Sequence, residues 1–194
     1  MKNSVKIVFD KNDGVAQMRT LLKNGINHYQ VNRLLEQGVV VKLKHGVYKW
    51  KTDNENEWAD IIHLVPNGIL CLLTSALHHE LTTFVSSEYH IAIPKKMKLV
   101  LPDYPPIKLY YWDSKAFRLG IIETVIQETP VKMYNIEKTV CDIVRLRNKI
   151  GIDIAKEVLK NYLKHPNCNI PKLNEYARQL RISTILNNFL NILL

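Results

Sequence analysis

The stretch that most constrains the fold begins at Ile26, where several helix-start signals coincide. Asn27 is a favourable N-cap residue and Gln30 follows it at the third helical position, which is the pattern of a capping box. Ile26 precedes the cap and is placed to pack on Val31, as in a hydrophobic staple. We therefore predict a helix over residues 28–37 with its apolar side toward a core.

The neighbouring segments predict two further helices and a hairpin. Residues 3–12 can supply a supporting helix, and apolar residues recur at helical spacing over residues 15–23. Two β-rich runs, residues 39–43 and 47–50, surround a turn at residues 44–46. Helices followed by such a hairpin have the order of a winged helix-turn-helix, in which one helix reads the major groove and the wing contacts the DNA backbone or minor groove.

Polar side chains occupy the outer side of the predicted helix over residues 28–37, and the hairpin is basic. Arginine suits guanine and asparagine suits adenine in a major groove, whereas lysine suits phosphates. A polar outer face is expected of any amphipathic helix, so the basic hairpin that follows is what favours DNA binding. The candidate DNA-binding residues are Tyr29, Asn32, Arg33, Lys42, Lys44, His45 and Lys49.

The distribution of charge agrees with a nucleic-acid partner for the first part of the chain. Residues 1–52 hold ten basic and three acidic side chains, whereas the rest holds seventeen basic and fifteen acidic ones. Phosphate neutralisation supplies the sequence-independent part of DNA affinity, so a compact basic region suits a DNA-binding domain. A solvated basic face is the alternative explanation.

The remaining chain predicts an α+β domain. Residues 89–93, 107–112 and 121–128 are typical of strands, and the acidic, polar segment 53–57 is typical of a linker or helix start. Apolar residues at helical spacing begin at Trp58, Ile136, Ile154 and Leu173. We therefore predict a winged helix-turn-helix over residues 1–52 and a mixed α/β domain with a small sheet and several helices over residues 53–194.

Composition narrows the cellular setting. The cysteines, Cys71, Cys141 and Cys168, are odd in number and form no CxxC pair, which favours reduced thiols. The first six residues lack the features of a secretory signal. The apolar stretch at residues 61–77 is interrupted by polar residues and proline, so we interpret it as buried core and not as a membrane span. We expect a cytoplasmic protein that needs no cofactor and no membrane.

An enzymatic alternative rests on carboxylates that could bind a divalent metal ion, as in a nuclease brought to DNA by the winged helix. However, Glu137 fits the first turn of a helix capped by Asn135, and Asp142 is placed to pair with Lys138 or Arg145. No PD-(D/E)xK pattern, phosphate loop, HExxH or serine elbow is present, so we expect no catalytic activity. The candidate metal ligands are Glu123, Glu137, Asp142 and Asp153.

Other noticeable residues have structural explanations. His78 and His79 are adjacent on a predicted helix and point about 100° apart, so we expect one buried and one exposed histidine and no shared metal ion. Cys141 lies beside an apolar stripe and is expected to be a packed thiol. Basic residues that form either a second surface for DNA, RNA or an acidic partner, or a solvated face, are Lys95, Lys96, Lys98, Arg145, Arg147 and Lys149.

Several motifs, taken in order, resemble a known family. The N-terminal run contains Gly-Ile-Asn at residues 25–27, Leu-Leu-Glu-Gln-Gly-Val-Val at 34–40 and Lys-His-Gly-Val-Tyr at 44–48. It is followed by Ser-Ala-Leu at residues 75–77, His-Ile-Ala-Ile-Pro at 90–94 and Ile-Glu-Lys-Thr-Val-Cys-Asp at 136–142. Over roughly residues 13–165, this order and spacing is similar to that of AbiEi-type antitoxins of type IV, or abortive infection, toxin-antitoxin systems.

The resemblance implies a bacterial antitoxin that binds repeats in its own promoter, represses the operon and counters a nucleotidyltransferase-like toxin through its C-terminal domain. In such families the toxin is often neutralised without a stable complex. By this resemblance, the promoter-binding role would fall on the recognition-helix and wing positions Tyr29, Asn32, Arg33, Lys42, Lys44 and His45. His45 departs from the family pattern, which more often has arginine before Gly-Val-Tyr, so the resemblance does not imply a strong phosphate contact at that position.

Overall fold

The computed structural model describes residues 2–12, 14–51 and 57–193, and the chain divides into two compact units. The first unit comprises Met1–Asp60 together with Val100–Pro106, and the second comprises Ile61–Leu99 and Ile107–Leu194. The first unit is therefore discontinuous in sequence, which residue patterns did not predict. The predicted domain boundary at residues 52 and 53 falls outside the described residues.

The first unit contains helices and a small antiparallel sheet, with the strand order β1-β3-β2. A short loop separates α2 from α3, and a tight turn joins β2 to β3. The elements are α1 (Lys2–Asp10), β1 (Val15–Gln17), α2 (Met18–Lys23), α3 (His28–Glu36), β2 (Val40–Lys44), β3 (Val47–Trp50) and α4 (Glu57–Leu64), the last of which runs past the division at Asp60.

The prediction of one helix over residues 15–23 was wrong at its beginning. Val15–Gln17 forms β1, which pairs with β3 in the antiparallel register Val15 with Lys49 and Gln17 with Val47. The helix itself is confined to α2. Pairing with a strand distant in sequence overrides the local helical spacing, and the β-branched Val15 favours an extended backbone.

One apolar core holds the first unit together. Phe9 of α1, Leu21 of α2, Val31 of α3 and Trp50 of β3 are all buried in it, and the rings of Phe9 and Trp50 lie 5.6 Å apart between centroids. The predicted helix over residues 3–12 is thus confirmed as α1, and it contributes directly to this core. Burying side chains from helices and hairpin together fixes which face of each element points outward.

The second unit is built on a mixed sheet of five strands with the order β6-β5-β4-β8-β7. The pairs β4–β8 and β5–β6 are parallel, and the pairs β4–β5 and β7–β8 are antiparallel. The strands are β4 (Ile69–Leu70), β5 (Tyr89–Pro94), β6 (Ile107–Trp112), β7 (Ile121–Ile126) and β8 (Thr129–Tyr134). Its helices are α5 (Leu72–His78), α6 (Ser114–Arg118), α7 (Ile136–Arg145), α8 (Arg147–Ile150), α9 (Ile152–Lys164), α10 (Ile170–Gln179) and α11 (Ser183–Leu193).

Helix α7 lies at the centre of the second core. Nine consecutive residues from Ile136 to Val144 are buried, because α5, α9, α10 and α11 all pack on it. The predicted α+β class is therefore confirmed, with two small sheets and many helices. Across the described ranges, every helix is too short or too polar to cross a lipid bilayer.

Candidate nucleic-acid interface

Helix α3 begins with the capping interactions that the sequence predicts. The side chain of Asn27 accepts a hydrogen bond from the backbone N–H of Gln30 at 2.9 Å, and the Gln30 side chain accepts one from the backbone N–H of Asn27 at 2.8 Å. Ile26 and Val31 are both buried in the first core, as the predicted staple requires. These contacts fix the start of α3 and the direction in which its side chains point.

The outer face of α3 is open to solvent. Val31 and Leu34 are buried, whereas Asn32 and Arg33 are exposed to solvent. Tyr29 is 69% exposed. Tyr29, Asn32 and Arg33 lie within about 100° of one another around the helix axis, at 100° per residue. The structure thus brings these three candidate residues onto a single helix face.

The β2–β3 hairpin ends in a turn at His45 and Gly46. Gly46 has a φ of 71°, a left-handed conformation that glycine adopts without strain, and the β2–β3 register shifts between Lys42 and Lys44. His45 is exposed at this tip. The backbone of Lys44 belongs to β2, but its side chain lies outside the described part of the structure, so its DNA contact stays a prediction.

Lys42 and Lys49 lie on opposite faces of the small sheet. Lys42 pairs with the buried Tyr48 across the hairpin, whereas Lys49 pairs with Val41. Because directly opposite residues share a face and successive residues alternate, the two ammonium groups start from different sides. The structure therefore does not join all of the candidate lysines into one strip.

Lys49 is engaged by a carboxylate within the same unit. Its ammonium nitrogen lies 2.7 Å from Oδ2 of Asp60, and the Lys49 side chain is only 17% exposed. A DNA contact by Lys49 would have to compete with this half-buried pair. Among the candidate residues whose side chains the structure describes, Lys49 is therefore the least available to a phosphate.

The hairpin also contacts a segment from later in the chain. The backbone N–H of Asp103 donates to the carbonyl of Leu43 at 2.8 Å, and the Asp103 carboxylate lies 3.7 Å from the ammonium group of Lys42. The Lys51 ammonium lies 6.0 Å from the centre of the Tyr104 ring. We name Val100–Pro106 the strap, because it belongs to the first unit and holds the hairpin.

Sequence reasoning missed the strap and both acidic partners. The Pro-rich run around Tyr104 lies between two predicted strands, and nothing in its local pattern reveals a contact with residues 42 and 43. Asp60 falls within the second predicted domain, residues 53–194, so the sequence pattern does not place it beside Lys49. The first unit holds eight acidic and ten basic side chains, so the sequence shows these charges but not which of them form pairs.

The four carboxylates considered as metal ligands in the sequence analysis lie in different environments of the second unit. Glu123 is exposed on β7, and the side chain of Asp153 is fully exposed on α9 near Lys156. Glu137 is buried and lies 3.1 Å from the ammonium group of Lys172. Within the described ranges, no three His, Cys, Asp or Glu side chains are grouped so that they could hold a metal ion.

Asp142 forms a buried ion pair with Lys138 one turn earlier on α7, and both side chains are fully buried. The Lys138 ammonium lies 4.0 Å from the centre of the Tyr134 ring and 5.3 Å from that of Trp112. Burial raises the pKa of Asp142, and the neighbouring Lys138 opposes this rise. The pair is closed to solvent, which does not suit a catalytic acid or a metal ligand.

The adjacent histidines His78 and His79 differ in exposure, and Cys141 is buried in the core of the second unit. His78 is exposed, while His79 is partly buried with Nε2 2.8 Å from the carbonyl oxygen of Tyr134. Burial is the main cause of a lowered His79 pKa, and burial also raises the pKa of Cys141 to about 12. A thiol with so high a pKa is a poor nucleophile.

The basic residues considered as a second nucleic-acid surface differ in their exposure to solvent. Lys95, Lys96, Lys98 and Lys149 are exposed. Arg145 instead stacks over the Trp112 ring at 4.2 Å, and Arg147 donates to the carbonyl of Val144 at 3.4 Å. The two arginines thus have structural contacts, and only the lysines are open to a polyanion.

Comparison with known proteins gives no relative on which to base a function. No family model matches the chain, and no curated protein matches it significantly.

Proposed function

We propose that the chain binds double-stranded DNA through its first unit, with α3 in the major groove and the β2–β3 hairpin as a wing. One observation carries the proposal: the capped helix α3 presents Tyr29, Asn32 and Arg33 to solvent from the same compact unit that carries the basic hairpin. The order of helices followed by a hairpin is that of a winged helix-turn-helix.

The shared core supports this use of the two elements. Val31 and Leu34 of α3 pack in one cluster with Val40, Tyr48 and Trp50 of the hairpin. Both elements are therefore held by common packing, and the exposed face of α3 is set by its buried side. A rigid, outward-facing helix is what direct reading of base edges requires.

The chemistry of the exposed residues supports DNA over an uncharged partner. Arg33 can donate two hydrogen bonds to guanine, Asn32 can pair with adenine, and Tyr29 offers an aromatic ring and a hydroxyl. Basic side chains outnumber acidic ones by ten to three over residues 1–52. The structural first unit also includes residues 53–60 and 100–106, and it holds ten basic and eight acidic side chains in all. Attraction of a polyanion therefore depends on the basic residues of α3 and the hairpin, and not on the net charge of the whole unit.

Selection of duplexes from a random library by the full-length chain tests the proposal. We expect recovered duplexes to share a recurring half-site, and Arg33→Ala and Asn32→Ala to abolish its enrichment. Lys6→Ala provides a matched control, because Lys6 is exposed on α1 of the same unit. Absence of any enrichment, or enrichment that survives in both α3 variants, would contradict the proposal.

The narrower role follows from the motif resemblance alone. We propose that the chain represses its own promoter and acts as the antitoxin against a nucleotidyltransferase-like toxin. Co-expression with a nucleotidyltransferase encoded by an adjacent gene tests this role through recovery of growth. If the full chain leaves growth unrescued although it binds the promoter, the protein is a regulator without antitoxin activity.

A further inference from the structure

Strand β7 forms an edge of the five-stranded sheet in the second unit. It pairs with β8 over six residues in an unbroken antiparallel register, from Ile121 opposite Tyr134 to Ile126 opposite Thr129. Val125 is 62% exposed, and Ile121 and Ile122 are each 37% exposed. An apolar strand thus lies at the sheet boundary, and within the described ranges the backbone hydrogen bonds of Ile121–Ile126 are those to β8.

The sequence of β7 has few of the features that normally protect an edge strand. It reads Ile-Ile-Glu-Thr-Val-Ile, with no lysine, proline or glycine, and Glu123 is its single charge. The opposite edge strand, β6, carries Lys108 in an ion pair with Glu88. A regular, β-prone, six-residue edge with little charge is a template on which another strand can pair.

We propose that a second copy of this chain pairs with β7 through its own β7, in antiparallel orientation, and joins the two sheets into one of ten strands. This inference rests on β7 alone and does not depend on DNA binding. We infer that the partner strand is a second copy because the pattern of β7 suits pairing with an identical strand. Its apolar residues lie on both sides of a polar centre, Glu123 and Thr124, so the apolar–polar pattern reads alike in both directions.

Symmetry restricts the register of such a pair. The two-fold axis must stand perpendicular to the sheet, so each face of one copy continues as the same face of the other. Directly opposite side chains share a face. One residue of β7 must therefore lie directly opposite the same residue of the other copy, at the two-fold axis. The two residues nearest the middle of the strand, Glu123 and Thr124, are the candidates for this position.

Charge decides between the two registers. Centring on Glu123 would place two carboxylates directly opposite each other, which is destabilising. Centring on Thr124 places the two threonines together, Ile122 opposite Ile126, and Glu123 opposite Val125. Each carboxylate then keeps Lys132 of its own β8 as a cross-strand neighbour. The Thr124 register is therefore the one that fits.

Two substitutions at one position test both the dimer and its register. In this register Val125→Glu places a carboxylate opposite Glu123 of the other copy, whereas Val125→Lys places an ammonium group there. Val125 is largely exposed, so both variants should fold, as circular dichroism can verify. By sedimentation equilibrium we expect a reversible dimer for the native chain, about tenfold weaker association for Val125→Glu, and undiminished association for Val125→Lys.

A monomeric native chain at the highest concentration reached would overturn the proposal, as would equal effects of the two substitutions. A second measurement fixes the register. In a Cys168→Ala background, Thr124→Cys should form an intermolecular disulfide under mild oxidation, because the two residues face each other at the axis. Val125→Cys should not. Cross-linking of Val125→Cys alone, or of neither variant, contradicts the pairing.

Discussion

The Lys42 ammonium group lies 3.7 Å from the carboxylate of Asp103, so the strap places a negative charge on the hairpin proposed as the wing. The contact is made by a residue far along the chain, and a backbone hydrogen bond from the same residue to Leu43 keeps it in place. A phosphate approaching Lys42 would therefore meet a competing carboxylate.

Removing that carboxylate should strengthen DNA binding. For Asp103→Asn we expect affinity for any duplex to rise about twofold, because the pair is exposed and contributes roughly 0.5 kcal/mol. Fluorescence anisotropy at several salt concentrations measures the change, and a steeper salt dependence should accompany it. Asp153→Asn is the control, since that side chain is fully exposed in the other unit. Unchanged affinity for Asp103→Asn would mean that Lys42 does not contact DNA.

The exposed wing tip offers a gain of function. His45→Arg adds a guanidinium that remains charged throughout the assay, at an exposed position beside Gly46. We expect tighter binding to both selected and scrambled duplexes, with about one additional counterion released in the salt dependence. A change confined to one sequence would instead assign this position to base reading.

The buried pair on α7 should respond very differently to single and double replacement. Lys138→Met leaves Asp142 buried without its cation, and we expect a loss of about 3–5 kcal/mol in the free energy of unfolding. Adding Asp142→Leu removes the uncompensated carboxyl group and should recover most of that loss. Urea denaturation measures both variants. Equal instability of the single and double variants would show that the Lys138 side chain acts through packing alone.

His90 predicts how stability depends on pH. Burial, followed by the nearby Lys108 ammonium, lowers the pKa of His90 from 6.5 to about 4. As the pH falls, the His90 side chain is protonated in the unfolded chain near pH 6.5 but in the folded chain only near pH 4. The contribution of neutral His90 to the free energy of unfolding is therefore complete above pH 6.5 and is lost as the pH falls toward about 4. His90→Gln, which keeps a polar group near Ser86, should flatten this dependence between those pH values in chemical denaturation. A wild-type profile identical to that of the variant would contradict the prediction.

The sequence predicted elements that local interactions specify, and it failed where distant strands decide. The capping box at Asn27 and Gln30 and the apolar stripe of α7 depend on neighbouring residues, and both are present. The prediction of a helix at Val15–Gln17 was wrong because the conformation of this segment depends on pairing with β3. Strand β4, only two residues long, is likewise defined by its neighbours β5 and β8.

The candidate interface shows the same division. The outward direction of Tyr29, Asn32 and Arg33 follows from helical periodicity, so sequence sufficed to place them on one face. The ion pairs of Lys42 with Asp103 and of Lys49 with Asp60 depend on tertiary contacts. A lysine can be recognised as basic from the sequence, but its availability to a phosphate is decided by which carboxylate the fold brings near.

The most direct test of the central claim compares Arg33→Ala with the native chain on two duplexes, the selected half-site and a scrambled version of it. If α3 reads bases, Arg33→Ala should weaken binding to the selected duplex by about 1–3 kcal/mol and change binding to the scrambled duplex far less. Equal weakening on both duplexes, or no weakening on either, would contradict recognition of DNA sequence by α3.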